Sequence, residues 1–505
     1  LLLFIIFISF FWKNIYAQVN YFNNTYNYND FSPALAVIEH DSNYIVYGVT
    51  NDSLYNSVSV YIASINGEGQ LNYWKTISDS NTFYWAGYGG GGLVSCKNGG
   101  FVAAGCAQYT YRTNAILYRF DENGDTIWTK EYPDTVTNMR TQFWDCDTTK
   151  DGGYIMIGPH TVEAYYTNVL LIKADSLGKE QWRREYGEPG WISHGYSVVQ
   201  TPDKGFLLGC YKYDAGNDDT GDPFVIKVDS LGDFEWETNL GGPYRDFFTQ
   251  VCLGNDGSYI AGTSLSDSTS GDNHYSRIKI VKLSEVGDVI WEKYYTCTEL
   301  DNKLYSINQD HDGGYIATGH RNSLNHPGHW RLVYGWLLKT DENGDSVWYR
   351  EYQYYTETEY DKNYLYDLCL APDGGYAMVG QAHTWGTPQV AWVIKVDSIG
   401  CDTPGCGSVG VIEYTPSLVP RTPYLYIFPN PTKEDITIRY RIPGPGYRVL
   451  IYDLYGRKQD EMIISPGQEQ TRIDVSAYPA GIYVAVLKNE DGVIARGKFI
   501  KSGDR

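Results

Sequence analysis

At 505 residues, with 47 Tyr, 53 Gly and only 4 Met, the chain has the composition of an all-β protein rich in turns. Its formal net charge of −21 leaves no general basic surface to exchange for the counterions of nucleic acid or of an anionic membrane, so polyanions are poor candidates as partners. The length leaves room for two domains.

The chain begins with the apolar run LLLFIIFISFFWKNIYAQ, too short to span a bilayer, and Ile15-Tyr16-Ala17 offers a small-residue cleavage signal before Gln18. Residues 1–17 are therefore expected to be a Sec signal peptide lacking its initiator Met and basic region. No other stretch is long and apolar enough to span, so the mature chain is expected to carry no transmembrane segment.

From Val19 to Gly400 one unit recurs seven times. An aromatic follows the first turn at Tyr44, Phe101, Tyr154, Phe206, Tyr259, Tyr315 and Tyr376, and a glycine closes that strand at Gly48, Gly105, Gly158, Gly209, Gly262, Gly319 and Gly380. The last strand carries Trp74, Trp128, Trp182, Trp236, Trp291 and Trp348, one tryptophan short of the number of repeats. Each unit of roughly fifty residues holds four short strands with Asp-Gly or Asn-Gly turns, the signature of a propeller blade rather than of a solenoid. The seventh unit stops at Cys401-Asp402-Thr403-Pro404 without a closing strand, while VNYFNNTYNY precedes the first. A seven-bladed β-propeller over residues 18–401 is expected, its N-terminal strand completing blade seven and hiding the open edges. DENGDTIW from Asp121 and DSLGKEQW from Asp175 resemble the blades of bacterial extracellular propellers and, loosely, those of quinoprotein propellers. The latter likeness is confined to the blade and implies no cofactor.

Nine cysteines are an odd number, so at least one stays free or pairs outside the chain. Cys401 and Cys406 are close enough to close a small loop, whereas Cys96, Cys146, Cys252 and Cys369 sit in opening strands as small hydrophobes. Residues 402–423, rich in Pro, Gly, Ser and Thr, read as a linker. Short strands follow at Tyr424 to Phe428, Ile436 to Arg441, Tyr447 to Leu454, Thr471 to Val475, Ile482 to Leu487 and Val493 to Ile500, which fit a small β-sandwich. This tail resembles the type A C-terminal sorting domain of the type IX secretion system of Bacteroidota through FPNPTKEDITI at Phe428, VLIYDLYGR at Val449, IDVSAYPAGIYVAVL at Ile473 and GKFIK at Gly497. The resemblance implies that residues 424–505 engage that machinery, that the propeller is secreted or held at the outer cell surface, and that the tail is removed.

In a four-stranded blade the turns between strands one and two and between three and four share one side of the disc. Here they are short and uniform; Asp121 to Asp125 and Asp341 to Asp345 place oxygens as a calcium loop begins, but hairpin chemistry accounts for them and no metal is expected. The opposite side carries variable loops, such as PHTVEAYYTN from Pro159, YKYDAGNDDTGD from Tyr211, HRNSLNHPGHWRLVYG from His320 and QAHTWGTPQV from Gln381. His160, His194, His274, His320, His326, His329 and His383 map to that side, without a spacing that fixes a metal. Trp85, Trp191, Tyr165, Tyr166, Trp330, His383 and Trp385 are the candidate binding residues there, suited to the apolar faces of sugars or to protein hot spots. Asp145 and Asp367 share a register nine residues before the blade tyrosine and are the candidate carboxylate pair of a propeller glycan hydrolase. No nucleophile elbow, metalloprotease motif, Walker loop or dinucleotide fingerprint accompanies them. The favoured reading is a noncatalytic binding or display module, with the hydrolase or a structural adhesion or surface-layer component as alternatives.

Overall fold

The computed structural model describes residues 20–403 and 424–502, apart from 30, 53–56, 88, 164–165, 271–272, 297–300, 323–331, 357, 359, 429–431, 442–446, 454–456, 465–469 and 490–491. The expected signal peptide lies outside the described residues, as does nearly all of the expected linker. The described residues form strands and turns, and among them no helix is long and apolar enough to cross a membrane. The chain divides into two units at Pro416/Ser417.

In the first unit the strands pair antiparallel in successive groups spanning 34–77, 83–132, 145–186, 191–239, 250–295 and 301–352, here called groups one to six, with four strands each except group two, which has five. Group seven takes Lys362–Leu370, Tyr376–His383 and Val390–Val396. Its fourth strand is Phe22–Tyr26, antiparallel to Val390–Val396 with Phe22 opposite Lys395 and Tyr26 opposite Ala391. Third strands such as Thr113–Phe120 and Val390–Val396 are buried throughout and read as nearly continuous apolar runs, whereas fourth strands such as Thr126–Tyr132 are largely exposed. Single parallel bridges, Ser276 to Asp301 and Val333 to Lys362, join groups five to seven into one twelve-stranded sheet, a linkage the repeat does not announce.

Seven hydrophobic cores of the first unit are each shared by two neighbouring groups. Val102 and Leu117 of group two meet Met156 and Leu170 of group three, and Ile157 and Leu171 of group three meet Leu208 and Ile226 of group four. The same holds from one group to the next along the chain, and Val379 and Val393 of group seven share a core with Val46 and Ala63 of group one.

The fourth-strand aromatics make these junctions. Trp128, Trp182, Trp236, Trp291 and Trp348 lie about 6 Å from Tyr154, Phe206, Tyr259, Tyr315 and Tyr376 of the following group. Each also covers a left-handed turn glycine of that group, as Trp128 covers Gly178 (φ +74), where a Cβ would lie 2.7 Å from the indole. Four residues on, the Tyr132, Tyr186 and Tyr352 hydroxyls donate to the carbonyls of Gly178, Gly232 and Gly400 at 2.7–2.8 Å. Phe22 and Tyr26 repeat this at the seam: Phe22 packs 6.0 Å from Tyr44 and against Gly69, and the Tyr26 hydroxyl donates to the Gly69 carbonyl at 2.6 Å. Phe22 thus stands where a seventh tryptophan would. Trp74 departs from the pattern, stacking on Tyr61 of its own group at 3.9 Å.

Two expected loops are instead extended hairpins. Tyr154–Glu163 pairs with Tyr166–Ala174, and Phe206–Asp214 with Asn217–Val228, because Thr, Val, Tyr and Lys continue the ladder past the core. In the second unit, Tyr424–Phe428, Asp435–Arg441 and Gln470–Asp474 form one sheet, and Lys458–Ile463, Arg448–Asp453, Gly481–Asn489 and Gly492–Lys501 another. Ile436, Ile438, Val449, Ile451, Leu487 and Phe499 fill their common core. Lys458–Ile463 escapes the hydrophobic pattern because it is mostly exposed.

Candidate functional site

The opening strands bear the site. In Ala34–His40, Trp191–Gln200, Asp301–Gln309 and Lys362–Leu370 the pairing skips one residue at the same place, passing over Leu35, Tyr196, Tyr305 and Tyr366. Such a bulge frees one residue from the ladder and re-aims its side chain. Three of the four are tyrosines, and they collect with Trp144 and Phe248 into one aromatic run. Ring centroids lie 4.7 Å apart for Trp144 and Tyr196, 4.5 Å for Tyr196 and Phe248, 5.2 Å for Phe248 and Tyr305, and 5.1 Å for Tyr305 and Tyr366. These distances suit tilted and offset contacts between rings.

Group two has no such tyrosine. Its opening strand is split into Phe83–Ala86 and Leu93–Ser95, and the glycine-rich segment between them reaches across to other groups. The Gly90 N–H donates to the Leu35 carbonyl of group one at 3.3 Å. A Cβ on Gly90, whose φ is +97, would lie 1.8 Å from the Tyr305 carbonyl oxygen and 3.1 Å from that of Tyr366. One on Gly87 would lie 2.2 Å from the Trp144 carbonyl oxygen. Backbone passes this close only where no side chain intervenes.

On the uniform-turn side, a cavity of about 650 Å³ has walls contributed by the opening strands of all seven groups, with Gly90 and Gly91 among its lining residues. Asp145 and Asp367 both line it. Asp145 Oδ1 accepts from the N–H groups of Gly92 and Cys146 at 2.8 Å, and Oδ2 from that of Val198 at 2.9 Å, so one carboxyl ties groups two, three and four. Asp367 Oδ2 accepts from the Val37 N–H at 2.9 Å, and the carboxyl also meets Ser306, tying groups seven, one and six. Ser197, in the same register, accepts from the Val251 N–H at 3.3 Å. Burial pushes the Asp145 carboxyl up to about 7 and that of Asp367 up to about 6, against the pull of the backbone donors. Chemically, then, the two carboxyls act first as staples between neighbouring groups.

On the variable-loop side, a second cavity of about 360 Å³ is lined by Tyr196, Tyr211, Phe248 and Tyr305 together with Arg245 and Lys303. The segment crossing from group four to group five supplies Arg245, Asp246, Phe247 and Phe248. Lys303 Nζ lies 4.5 Å from the centre of the Phe247 ring. Burial pushes the Tyr211 phenol up to about 12 although Arg245, in hydrogen-bonding contact with its hydroxyl, pulls the other way. Asp246 accepts from the N–H groups of Ser266 and Gly242, both at 2.7 Å, and burial raises it to about 7.

The sequence-derived binding residues that the structure describes lie around this side, yet none of them lines either cavity. Trp85 is exposed in Phe83–Ala86, Trp191 opens its strand beside Lys212, and Tyr166 opens Tyr166–Ala174. His383 stacks on Tyr364 at 6.3 Å, and the exposed Trp385 meets Tyr360 at 6.0 Å. Tyr165 and Trp330 lie outside the described residues, as do His326, His329 and the side chain of His274. His320 is buried, stacks on Tyr305 at 5.2 Å, and is held well below its ordinary pKa by burial and by Lys303 and Lys362. His194 is lowered to about 4 by burial beside Trp144. Among the described residues no three metal-ligating side chains cluster, and the Asp121 carboxylate accepts from the N–H groups of Asn123 and Asp125 within its own turn. The aromatic run was legible only as Gly-Tyr-Ser at 195–197, Leu-Tyr-Ser at 304–306 and Leu-Tyr-Asp at 365–367, an aromatic beside a polar residue in an opening strand. Cys96, Cys106, Cys146, Cys210, Cys252 and Cys369 are free thiols, while Cys401 is disulfide-bonded; Cys406 lies outside the described residues.

No curated protein matches the sequence. Among solved structures the chain is similar to a protein of unknown function from Bacteroides caccae, at 12% identity and a TM-score of 0.35 over 61% of this chain and 93% of that one. It is similar to the α-L-arabinanase of Penicillium chrysogenum complexed with arabinobiose, at 10% identity and 0.41 over 61% and 92%. It is also similar to a family PL25 ulvan lyase, at 10% identity and 0.42 over 76% and 97%. Likeness at this level carries nothing about activity. Residues 426–502 match the family described as the secretion system C-terminal sorting domain. The second unit is therefore a type IX sorting domain, and the destination of the chain is the cell surface or the exterior.

Proposed function

We propose that residues 18–401 form a seven-bladed propeller closed by its N-terminal strand and act at the cell surface as a noncatalytic module that binds saccharide on the variable-loop side. In this reading a signal peptide at 1–17 starts export, and a linker at 402–423 joins the propeller to the sorting domain at 424–505. The cyclic order of shared cores and the pairing of Phe22–Tyr26 with Val390–Val396 support the closed ring.

The observation that carries the binding assignment is the aromatic cleft of Tyr196, Phe248 and Tyr305, with a hydroxyl, an amine and a guanidinium at its edges. Sugar rings present apolar C–H faces to aromatic planes and hydroxyls to polar groups, and both are present here. In this reading Trp85, Trp191, Tyr166, His383 and Trp385 supply further contacts on the same side. The engagement of Asp145 and Asp367 in contacts among three groups each favours support over hydrolysis.

A glycan array probed with the full chain tests the assignment. Binding to at least one class of oligosaccharide, reduced by Tyr305→Ala and Trp385→Ala and accompanied by no hydrolysis of the bound glycan, is expected. Absence of binding to any glycan refutes it, and hydrolysis abolished by Asp367→Asn would replace it with the enzymatic alternative.

A further inference from the structure

The cleft on the variable-loop side combines rings with cations in a chain whose formal charge is −21. Several strand lysines are matched by carboxylates: Lys227 meets Asp203 at 2.8 Å and Glu235 at 2.9 Å, Lys395 meets Asp373 at 2.9 Å, and Lys279 meets Glu292 at 3.0 Å. Lys303 is different. It lies over the Phe247 ring, and no carboxylate of the described residues comes within ion-pair range of it. Arg245 adds a second cation beside the Tyr211 hydroxyl, which packs so tightly on Gly221 that a Cβ there would lie 1.7 Å away.

Across the strand pair from Lys303 stands His320, 4% exposed, stacked on Tyr305, with Nδ1 lacking a hydrogen-bond partner among the described residues. The acid in the cleft, Asp246, is turned onto two backbone N–H groups rather than onto Lys303.

We propose that this cleft takes a short acidic saccharide, its carboxylate or sulfate held by Lys303 and Arg245 and its ring laid on Tyr196, Phe248 and Tyr305. This rests on the saccharide-binding assignment and specifies its ligand. The overall negative charge opposes long-range capture of polyanions, but salt screens such fields within roughly 10 Å, and contacts inside the cleft are shorter than that. A charge-assisted bond in a half-buried cleft is stronger than its neutral counterpart.

Isothermal titration of the full chain with neutral cello-oligosaccharides, oligogalacturonates and chondroitin sulfate oligosaccharides tests the proposal. At least one acidic series should bind at least about tenfold tighter than the neutral one, weaken as NaCl is raised, and lose about tenfold with Lys303→Gln but much less with Lys303→Arg. The two acidic series tell carboxylate from sulfate. The salt series on the unaltered chain needs no variant, and circular dichroism checks that each variant folds. Neutral binding equal to or tighter than acidic, salt-independent binding, or full retention in Lys303→Gln would overturn the acidic assignment while leaving the saccharide reading intact. No binding to any of the three overturns this proposal, and a blank glycan array beside it overturns the saccharide reading too.

Discussion

The strand at 22–26 should hold the first unit together as firmly as any internal junction does. Phe22 is 7% exposed and packs on Tyr44 and Gly69, so Phe22→Ala removes a buried ring and should cost about 3–5 kcal/mol. Tyr26→Phe removes only the hydroxyl that meets the Gly69 carbonyl at 2.6 Å and should cost about 1 kcal/mol. The internal control is Tyr132→Phe, which removes the equivalent bond to Gly178 at 2.7 Å and should cost the same within about 0.5 kcal/mol. Guanidinium unfolding followed by tryptophan fluorescence gives all three values, and Trp392, whose Nε1 donates to Asn23 Oδ1 at 2.7 Å, reports from the seam itself. If Phe22→Ala costs less than about 1 kcal/mol while Tyr132→Phe costs its full share, the seam is not a structural junction and the closed ring is refuted.

Asp145→Asn sets an amide donor against a backbone donor and should cost about 1–3 kcal/mol by denaturant unfolding. Because burial raises the Asp145 carboxyl from 3.8 to about 7, the folded chain binds more protons than the unfolded one in that window; stability should fall as pH rises through it, and Asp145→Asn should flatten the slope. His160 is governed by its partners: burial disfavours its charge, but Glu185 at 2.9 Å and Asp134 at 3.4 Å outweigh this and raise it. Its contribution should be complete below the unfolded value of about 6.5 and vanish as pH rises through the raised one, an NMR titration of the imidazole locating the midpoint and His160→Gln removing the effect. Gly90→Ala places a Cβ 1.8 Å from the Tyr305 carbonyl oxygen at φ +97 and should cost more than about 2 kcal/mol, whereas Gly152→Ala, with open space around it, should cost less. Deleting residues 424–505 should leave the protein behind the outer membrane, as cell fractionation would show.

The pairing of Phe22–Tyr26 with the last repeat was legible because a repeat with one tryptophan too few, and an aromatic strand ahead of the first unit, leave a matching gap and filler. Phe22 precedes Tyr26 by the same four residues that separate Trp128 from Tyr132, so the contact pattern was written in the spacing. The cleft was harder to read. Tyr196 and Tyr305 enter it through bulges, and a bulge depends on which backbone groups find partners across the sheet, not on residue alternation. Arg245 and Lys303 come from different parts of the chain and meet only because the crossing segment lies beside the opening strand of group six. The exposed Trp85 and Trp385, and Trp191 beside them in residue type, drew attention as large aromatics, but type does not say which rings line a cavity.

The pairing of Phe22 with Lys395 also imposes an order of events on synthesis and export. A chain threaded outward from its N-terminus delivers this strand first, and 369 residues separate Asn23 from its partner Trp392. Until that partner emerges Phe22–Tyr26 has no ladder to join, and its aromatic face needs a chaperone or rapid collapse to keep it from strands of other chains. Contacts so distant in sequence form late, so completion of the first unit is expected to be among the slowest steps of its folding. A translocon that releases the chain as one piece would suit such a protein better than one that lets each repeat settle on its own.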